Sequence, residues 1–481
     1  MTELRETYET VIGLEVHAEL RTETKIFCGC STRFGAAPNT LCCPVCTGQP
    51  GSLPRLNRRV VEHAIAAGLV LDCRIRRETR MDRKNYFYPD LPKSYQISQL
   101  YAPICYDGAV RVRTPQEAAE KFTVRIHELH MEEDAGKLIH SEDGKHSLVD
   151  YNRCGVPLLE IVTEPDLRSA EQVVAFLKEL RDRLLYAGIS DCRMQEGSMR
   201  VDVNLSVHKP GTPLGTRTEM KNLSSFRSVR QAIAAETKRQ LAVLAAGGAV
   251  RQETRRFDEA TGESVGMRSK ENAEDYRYFP EPDLPLIRIS PEWIAQVKAS
   301  LPKSRRERQA YYASAWGLPA YDAELLTEDA DVADFFERTA AAGAPPKEAG
   351  KFILTELLRV RKEGEPFPVT PEALAELLRL LADGRINRTT AKEIFTRMLS
   401  EPIAPAEYVK AQGLSLVSDE TALRETAERI LRENPEAVQD YRNGKQKAIG
   451  YLVGQTMKAL RGRGQAERIR GLLEEALGRL E

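Results

Sequence analysis

The chain has 481 residues, enough for two to four domains, and its 42% hydrophobic and 29% charged residues are typical of a folded soluble protein. The 70 Lys and Arg residues balance 71 Asp and Glu residues, which excludes a global electrostatic attraction to nucleic acid. Any contact with RNA must therefore come from local basic patches. The first residues lack the pattern of a signal peptide, and no run of about 18 apolar residues occurs. We expect a cytoplasmic protein without a membrane partner.

Alternating apolar and polar residues predict strands in the first 290 residues. Residues 12–20 place Glu15 and His17 on one face and an apolar set on the other. Residues 198–207 place Arg200, Asp202 and Asn204 opposite a second apolar set. Further strands are predicted at 124–133, 158–163 and 216–222.

Helices are predicted between these strands and throughout the second half. Ser169 and Gln172 match a capping box, and residues 226–244 form a helical pattern that stops before Gly247. Later, Pro371 is placed to open a helix that ends at Gly384. The sequence therefore predicts an α+β first domain (1–290) with a mostly antiparallel sheet. An all-α middle domain (291–405) and an all-α tail domain (406–481) follow.

Five of the nine cysteines lie within residues 28–46. Two short pairs, Cys28 with Cys30 and Cys43 with Cys46, have a spacing that can place four thiolates around one tetrahedral Zn²⁺. Such a site fills all four protein positions and is therefore structural. Cys42 leaves open which thiol of the second pair is a ligand. The alternative is a set of free buried thiols.

Acidic residues recur on the polar faces of the predicted strands, and they converge if these strands are neighbours. Together with two histidines and an asparagine on the same strands, the set is Glu15, His17, Glu128, His130, Glu132, Glu133, Asp134, Glu160, Glu164, Asp202 and Asn204. Converged carboxylates need a cation between them, and Mg²⁺, which also binds nucleotide phosphates, is the natural choice. The alternative is an ordinary sheet face exposed to solvent. Because no phosphate-binding glycine loop occurs, ATP would bind on an open sheet.

Candidate cofactor-binding residues lie around this acidic face. They are Lys84, Arg200, Asp202, Asn204, Glu219 and Lys221. Cations among them can neutralise charge that develops during phosphoryl transfer.

Residues 441–470 form a basic segment with one acidic residue, Glu467. Its candidate RNA-binding residues are Arg442, Lys445, Lys447, Lys458, Arg461 and Arg463. Ile449, Val453 and Met457 follow helical spacing and are predicted to be core residues. A solvated helical face is the alternative interpretation of the charges.

Long motifs spread over the chain resemble one family. They include ETVIGLEVHAEL, DRKNYFYPDLPKSYQISQ, HMEEDAGK, LVDYNRCGVPLLEIVTEPD, EGSMRVDVN, EMKNLSSF, DYRYFPEPDLP and NGKQKAIGYLVGQTMKALRGR. Together they are similar to the B subunit of the heterotrimeric amidotransferases that act on Asp-tRNA(Asn) and Glu-tRNA(Gln). The resemblance covers almost the full chain and is weakest in the middle helical domain.

This resemblance implies a first domain with a fold like glutamine synthetase and the guanidino kinases. It implies that ATP and Mg²⁺ serve to phosphorylate the side-chain carboxylate of a mischarged tRNA, and that ammonia then displaces the phosphate. The implied metal ligands and catalytic residues are Glu15, His17, Glu132, Glu133 and Glu160. The implied partners are an amidase-type A subunit that supplies the ammonia, a small C subunit, the tRNA held by the basic tail, and the mischarging aminoacyl-tRNA synthetase.

Two other classes of function remain open from the residues. One is an ATP-dependent carboxylate-amine ligase that acts on a small molecule without RNA. The other is a non-catalytic, zinc-bearing scaffold that binds RNA.

Overall fold

The computed structural model describes residues 7–113, 121–141, 143–269, 273–362, 365–416, 420–460 and 464–479. By contacts within the chain, it divides into two units, Met1–Arg305 and Arg306–Glu481. In the described ranges, no helix has both the length and the apolar character needed to cross a membrane.

The first unit contains all the described strands. In chain order they are β1 Glu9–Glu19, β2 Arg74–Ile75, β3 Glu78–Thr79, β4 Asp82–Asn85, β5 Tyr95–Ser98, β6 Cys105–Arg113, β7 Lys121–Glu133, β8 Lys137–His140, β9 Ser147–Asp150, β10 Pro157–Thr163, β11 Met199–His208, β12 Thr218–Lys221, β13 Glu253–Asp258, β14 Glu263–Ser269, β15 Phe279–Pro280 and β16 Ile287–Arg288.

Nine of these strands form one mixed sheet in the order β14-β13-β12-β11-β1-β10-β7-β6-β2. Among the described strands of this sheet, only β12 and β13 pair in parallel. The predicted α+β class and the mostly antiparallel sheet are therefore confirmed. β15-β4-β5 form a smaller sheet, and β16-β3 and β8-β9 form two-stranded ones.

One face of the main sheet is covered by three helices, α1 Arg58–Val70, α2 Ala170–Tyr186 and α3 Phe226–Ala245. The alternation in β1 buries Ile12, Leu14 and Val16 in the core between sheet and helices. Their neighbours in sequence therefore lie on the opposite, open face, as the period of two predicts. The strands predicted at 12–20 and 198–207 are confirmed as β1 and β11. A further helix of this unit, α4, covers Pro291–Ser300 and packs against α1.

Helix ends follow the local sequence. Ser169 caps α2 by accepting a hydrogen bond from the backbone N–H of Gln172, but the Gln172 side chain accepts from Arg168 N rather than from Ser169 N. The predicted capping box is thus present only in its Ser half. α3 is followed by Gly247 in the left-handed region (φ 73°), which confirms the predicted stop.

The second unit is helical. Its elements are α5 Arg305–Trp316, α6 Ala320–Leu326, α7 Ala330–Ala341, α8 Pro346–Phe352, α9 Pro371–Ala382, α10 Arg388–Met398, α11 Pro405–Ala411, α12 Glu420–Glu433, α13 Pro435–Arg442, α14 Lys447–Ala459 and α15 Ala466–Arg479. The helix predicted to open at Pro371 is confirmed as α9, with Thr370 as its N-cap.

Two hydrophobic clusters fill this helical unit. One extends from Tyr312 to Val409, and the other from Leu423 to Leu477. Val409 is fully buried in the first cluster, although the predicted tail domain begins before it. The two predicted boundaries between the three domains remain predictions, but a cut between 414 and 423 would leave both clusters whole.

Candidate active site

Polar residues from four neighbouring strands meet on the open face of the main sheet. Strand register aligns Arg200 with His17, His17 with Glu160, and Glu160 with His130. These four residues therefore form a row across β11, β1, β10 and β7. The convergence predicted from the separate strands occurs.

Cluster A consists of His17, Glu132 and Glu160, whose potential ligand atoms lie within 4.8 Å of one another. His17 Nε2 lies 3.3 Å from Glu160 Oε2 and 3.5 Å from Glu132 Oε1. On the other side of Glu160, His130 Nε2 lies 3.0 Å from the same Oε2 atom. Glu160 is therefore shared by two imidazoles.

The charges of cluster A shift one another's ionisation. Burial disfavours the charge on His17, but Glu160, with smaller contributions from Glu132 and Asp202, outweighs burial and raises the pKa of His17. Burial likewise opposes the charge on Glu160, yet both histidines hold its pKa well below the usual range. Burial, and then Glu160, raise the pKa of Glu132. The carboxylates of cluster A thus need nearby positive charge to stay ionised together.

Cluster B consists of Glu15, Asp202 and Glu219, which also have ligand atoms within 4.8 Å of one another. Asn204 Nδ2 donates to Glu15 Oε1 over 2.9 Å. Lys221 Nζ donates to Asp202 Oδ2 over 2.7 Å. The structure therefore brings together five sequence-predicted residues here, four of them expected as cofactor-binding residues and Glu15 expected with the metal ligands.

A pocket of about 470 Å³ opens on this face, and its lining includes His17, Glu132, Asp202, Arg200 and Lys84. The pocket therefore combines the carboxylates of Glu132, Asp134 and Asp202 with the cations Lys84, Arg200 and Lys221, and it suits a ligand that carries both phosphate and metal charges.

Two of the predicted cations are held in fixed positions in the pocket. Lys84 Nζ lies 4.7 Å from the ring centre of Tyr276 and 5.9 Å from that of Tyr86. Although burial opposes its charge, nearby Tyr278 and the carboxylates of Glu132 and Glu160 raise the pKa of Lys84. Arg200 is held by Asp134, with Nη2 3.1 Å from Oδ2.

Glu133 is not brought to either cluster, although it was expected with the metal ligands. Its Oε1 accepts from the backbone N–H of Ile97 over 2.8 Å and is bonded to Lys93. It therefore joins β7 to β5. Because Glu132 and Glu133 are adjacent in a strand, only one of them can point to the open face.

The aromatic residues around Lys84 were missed by sequence reasoning. Tyr86 follows β4, whereas Tyr276 lies in the short 3₁₀ turn Ala273–Tyr276. The available signal was the concentration of aromatics beside basic residues in DRKNYFYPD and DYRYFP.

The four predicted thiols, Cys28, Cys30, Cys43 and Cys46, come together as a second kind of site. Cys42 instead points to Asn152, with Sγ 3.7 Å from Oδ1, so the spare thiol is identified. A hydrogen bond from Cys28, aided by the Lys25 ammonium, lowers the pKa of Cys46 to about 4. Four thiols at this separation, one of them readily ionised, can hold a structural zinc ion.

Replacing Cys46 with Ser should remove zinc and destabilise the loop, because metal-binding energy becomes folding energy where a loop has little regular structure. We expect the zinc content of the purified protein, measured by elemental analysis, to fall from about one ion per chain to nearly none. The melting temperature should fall with it. Cys42→Ser is the matched control and should keep both. Zinc-free wild-type protein would instead support four free thiols.

The basic tail is placed only in part. Arg442, Lys445, Lys447 and Lys458 are exposed, and Lys445 pairs with Asp440 at 2.7 Å. Arg461 and Arg463 lie outside the described residues. Ile449 is buried in the C-terminal cluster, and Val453 and Met457 pack against it, as predicted.

The fold and the site define a class: an α+β protein with a pocket of carboxylates and cations on the open face of its sheet. Comparison with known families assigns the chain to a narrower class of protein. The model of the GatB/GatE catalytic domain matches residues 10–295, and that of the GatB domain matches residues 334–477. The chain belongs to the GatB family, whose members are the B subunits of tRNA-dependent amidotransferases.

Curated relatives agree over nearly the full length. The B subunit of the aspartyl/glutamyl-tRNA(Asn/Gln) amidotransferase from Lachnoclostridium phytofermentans is 51% identical over 477 residues, covering 98% of this chain and 99% of the relative. Proteins of the same name from Agathobacter rectalis and Lachnospira eligens are each 53% identical with the same coverage.

Proposed function

We propose that this chain activates the side-chain carboxylate of Glu or Asp attached to tRNA and completes its conversion to the amide. Family membership makes the chain part of a tRNA-dependent amidotransferase. The observation that carries the finer proposal is the pocket whose lining includes His17 and Glu132 of cluster A and Asp202 of cluster B together with Lys84 and Arg200. This combination fits phosphoryl transfer from ATP to a carboxylate.

The chemistry follows from the poor reactivity of a carboxylate. A substrate carboxylate oxygen attacks the γ-phosphorus of ATP, the bond to the β-phosphate oxygen breaks, and ADP leaves. The nitrogen of ammonia then attacks the acyl carbon of the acyl phosphate. The carbon–oxygen bond to phosphate breaks, inorganic phosphate leaves, and the nitrogen loses a proton to give the amide.

The two clusters have the donor atoms that Mg²⁺ prefers, since five of their six residues are carboxylates. Glu132 and Glu219 are buried, and like charges packed so closely are costly without a cation. Cluster A and cluster B would each hold one ion. Bound there, Mg²⁺ neutralises charge on the phosphates of ATP.

The chain's own cations complete this arrangement. Lys84, kept charged by its carboxylate neighbours, is placed to contact the transferred phosphoryl group. Arg200, oriented by Asp134, is placed to hold the substrate carboxylate or a phosphate oxygen.

Partners follow from the same proposal. The relatives are named as one subunit of an amidotransferase, which indicates a complex of several chains, and we propose an amidase-type A subunit as the ammonia source with a small C subunit. We propose that the mischarging aminoacyl-tRNA synthetase delivers the tRNA and that the protein acts in the cytoplasm. We also propose that the first unit shares the glutamine synthetase and guanidino kinase fold.

The decisive experiment is a transamidation assay of the assembled complex on Glu-tRNA(Gln) and Asp-tRNA(Asn), with ATP and either glutamine or ammonium. We expect amidated tRNA and ADP in equal amounts. The isolated chain supplied with ammonium tests whether both steps occur here. ATP turnover that depends on a free amino acid rather than tRNA would instead indicate a small-molecule ligase.

Reversing two exposed tail charges should weaken tRNA binding. The double variant Lys447→Glu and Lys458→Glu is expected to raise the KM for mischarged tRNA about tenfold or more, with little change in kcat. The dependence of tRNA affinity on salt, measured as the slope of the logarithm of the binding constant against the logarithm of salt concentration, should also become weaker.

The matched control reverses Lys298 and Lys410, which are exposed helical lysines outside the basic tail. Its KM should stay near the wild-type value. Equal effects of both double variants would mean that the tail has no special role in tRNA binding.

A further inference from the structure

Each carboxylate of cluster B has one oxygen held by a side chain of the chain itself. The donors are Asn204 to Glu15, Lys221 to Asp202, and Thr254 Oγ1 to Glu219 Oε2 at 2.8 Å. Asn204 and Lys221 were recognised as polar residues of the open face. Thr254 was not, and nothing in its local sequence, QETRRF, indicates a role.

The backbone places Thr254 beside Glu219. β12 and β13 are the parallel pair of the main sheet, and Glu219 and Thr254 are direct partners in their register. On its other side, the pairing of β13 with β14 shifts between Thr254 and Arg255. Such irregularities re-aim side chains near functional sites. The strand that carries Thr254 is therefore not a regular continuation of the sheet.

Both side chains are shielded from water. Thr254 is 2% exposed and Glu219 is 6% exposed. In such surroundings a hydroxyl donor to a carboxylate is worth more than at the surface, and its loss leaves a buried oxygen without this partner.

We propose that Thr254 is a positioning residue for Glu219 and thereby for the divalent cation of cluster B. This proposal rests on the proposed function, which assigns a cation to that cluster. The Thr254 hydroxyl fixes the rotation of the Glu219 carboxylate by occupying Oε2. The other oxygen, Oε1, lies 3.4 Å from the Lys221 ammonium, which also binds Asp202. Hydrogen-bonding partners of metal ligands commonly govern affinity in this way.

The test uses Thr254→Val, which keeps the shape of the side chain and removes its donor. Mn²⁺ binding to the assembled complex, followed by electron paramagnetic resonance, reports the cation directly. We expect two Mn²⁺ sites in the wild type. The variant should bind one of them about tenfold or more weakly and keep the other. Thr254→Ser restores the hydroxyl and should restore the affinity.

The matched control is Thr218→Val on β12, the strand that also carries Glu219. Thr218 is fully buried, and its hydroxyl bonds Glu236 at 2.8 Å on the helix side of the sheet, away from cluster B. This variant should lose thermal stability but keep both Mn²⁺ affinities. A general effect of losing a buried hydroxyl would instead weaken Mn²⁺ binding in both valine variants, which would overturn the positioning role.

Two other outcomes distinguish a failure of the positioning role of Thr254 from a failure of the proposed metal sites. Wild-type protein that binds two Mn²⁺ ions, together with an unchanged Thr254→Val variant, overturns the positioning role alone. Wild-type protein that binds no Mn²⁺, even with ATP present, overturns the metal role of the clusters and with it the inference.

Discussion

Replacing Glu160 with Gln should reduce tRNA-dependent ATP turnover about 1,000-fold, which corresponds to about 4 kcal/mol of lost transition-state stabilisation. The substitution keeps the volume of the side chain but removes the charge that His17 and His130 share. Cluster A then loses both an anionic oxygen donor and the charge that holds the two imidazoles. The measurement is ADP release by the assembled complex with mischarged tRNA.

The control for this prediction is Glu164→Gln, just beyond the end of β10, the strand that carries Glu160. Glu164 is also paired with a histidine, His127, at 2.9 Å, but the pair is largely exposed. The Glu164→Gln variant should therefore retain near wild-type turnover, since exposed ion pairs contribute little free energy. Both variants should bind tRNA normally. Near-normal turnover in Glu160→Gln would remove Glu160 from the catalytic set.

The strands of the site were predictable because each has one buried face. In β1 and β11 the alternation is long and regular, and a shift by one residue would expose the whole apolar set. The polar strand β12 has no such alternation, and it proved shorter than the predicted 216–222. Sequence patterns therefore located the long alternating strands better than the short polar strand β12, which lies between β11 and β13.

The division of the acidic residues into two clusters could not be predicted from single strands. Glu15 and His17 share a face of β1, yet Glu15 lies with Asp202 and Glu219 whereas His17 lies with Glu132 and Glu160. That separation depends on which strands pair with β1 on each side and on their register. The sequence shows the alternation along a strand, but it does not show its neighbours.

The position of Glu133 is a second feature that the sequence pattern could not predict. HMEED contains consecutive acids, and the residues alone do not say which of them faces the pocket. The structure assigns Glu132 to cluster A and binds Glu133 to β5. For the cysteines the spacing predicted a four-thiol site in one short segment, but the structure was needed to show that Cys42 is the spare thiol.

Replacing Lys84 with Met should lower kcat for tRNA-dependent ATP turnover about 100-fold while changing thermal stability little. Met keeps the apolar contacts with Tyr86 and Tyr276 but removes the cation. The charge of Lys84 faces Glu132 and Glu160, so it is placed where charge develops on the transferred phosphoryl group. Turnover at saturating ATP, with the KM for ATP, is the measurement.

Lys93→Met is the control variant for this prediction. Lys93 is also near aromatic rings, 5.3 Å from the ring centre of Tyr95, and it is bonded to a buried carboxylate, Glu133. Since it does not line the pocket, its loss should reduce the melting temperature by leaving Glu133 without this cation. Turnover per folded molecule should stay within about threefold of wild type, a change of less than 1 kcal/mol. The two lysines have similar aromatic surroundings. Their different effects on turnover and stability would then reflect what each charge faces: a reacting phosphate for Lys84 and a structural carboxylate for Lys93. If Lys84→Met lost stability rather than kcat, Lys84 too would be structural, and Arg200 would become the cation to test next.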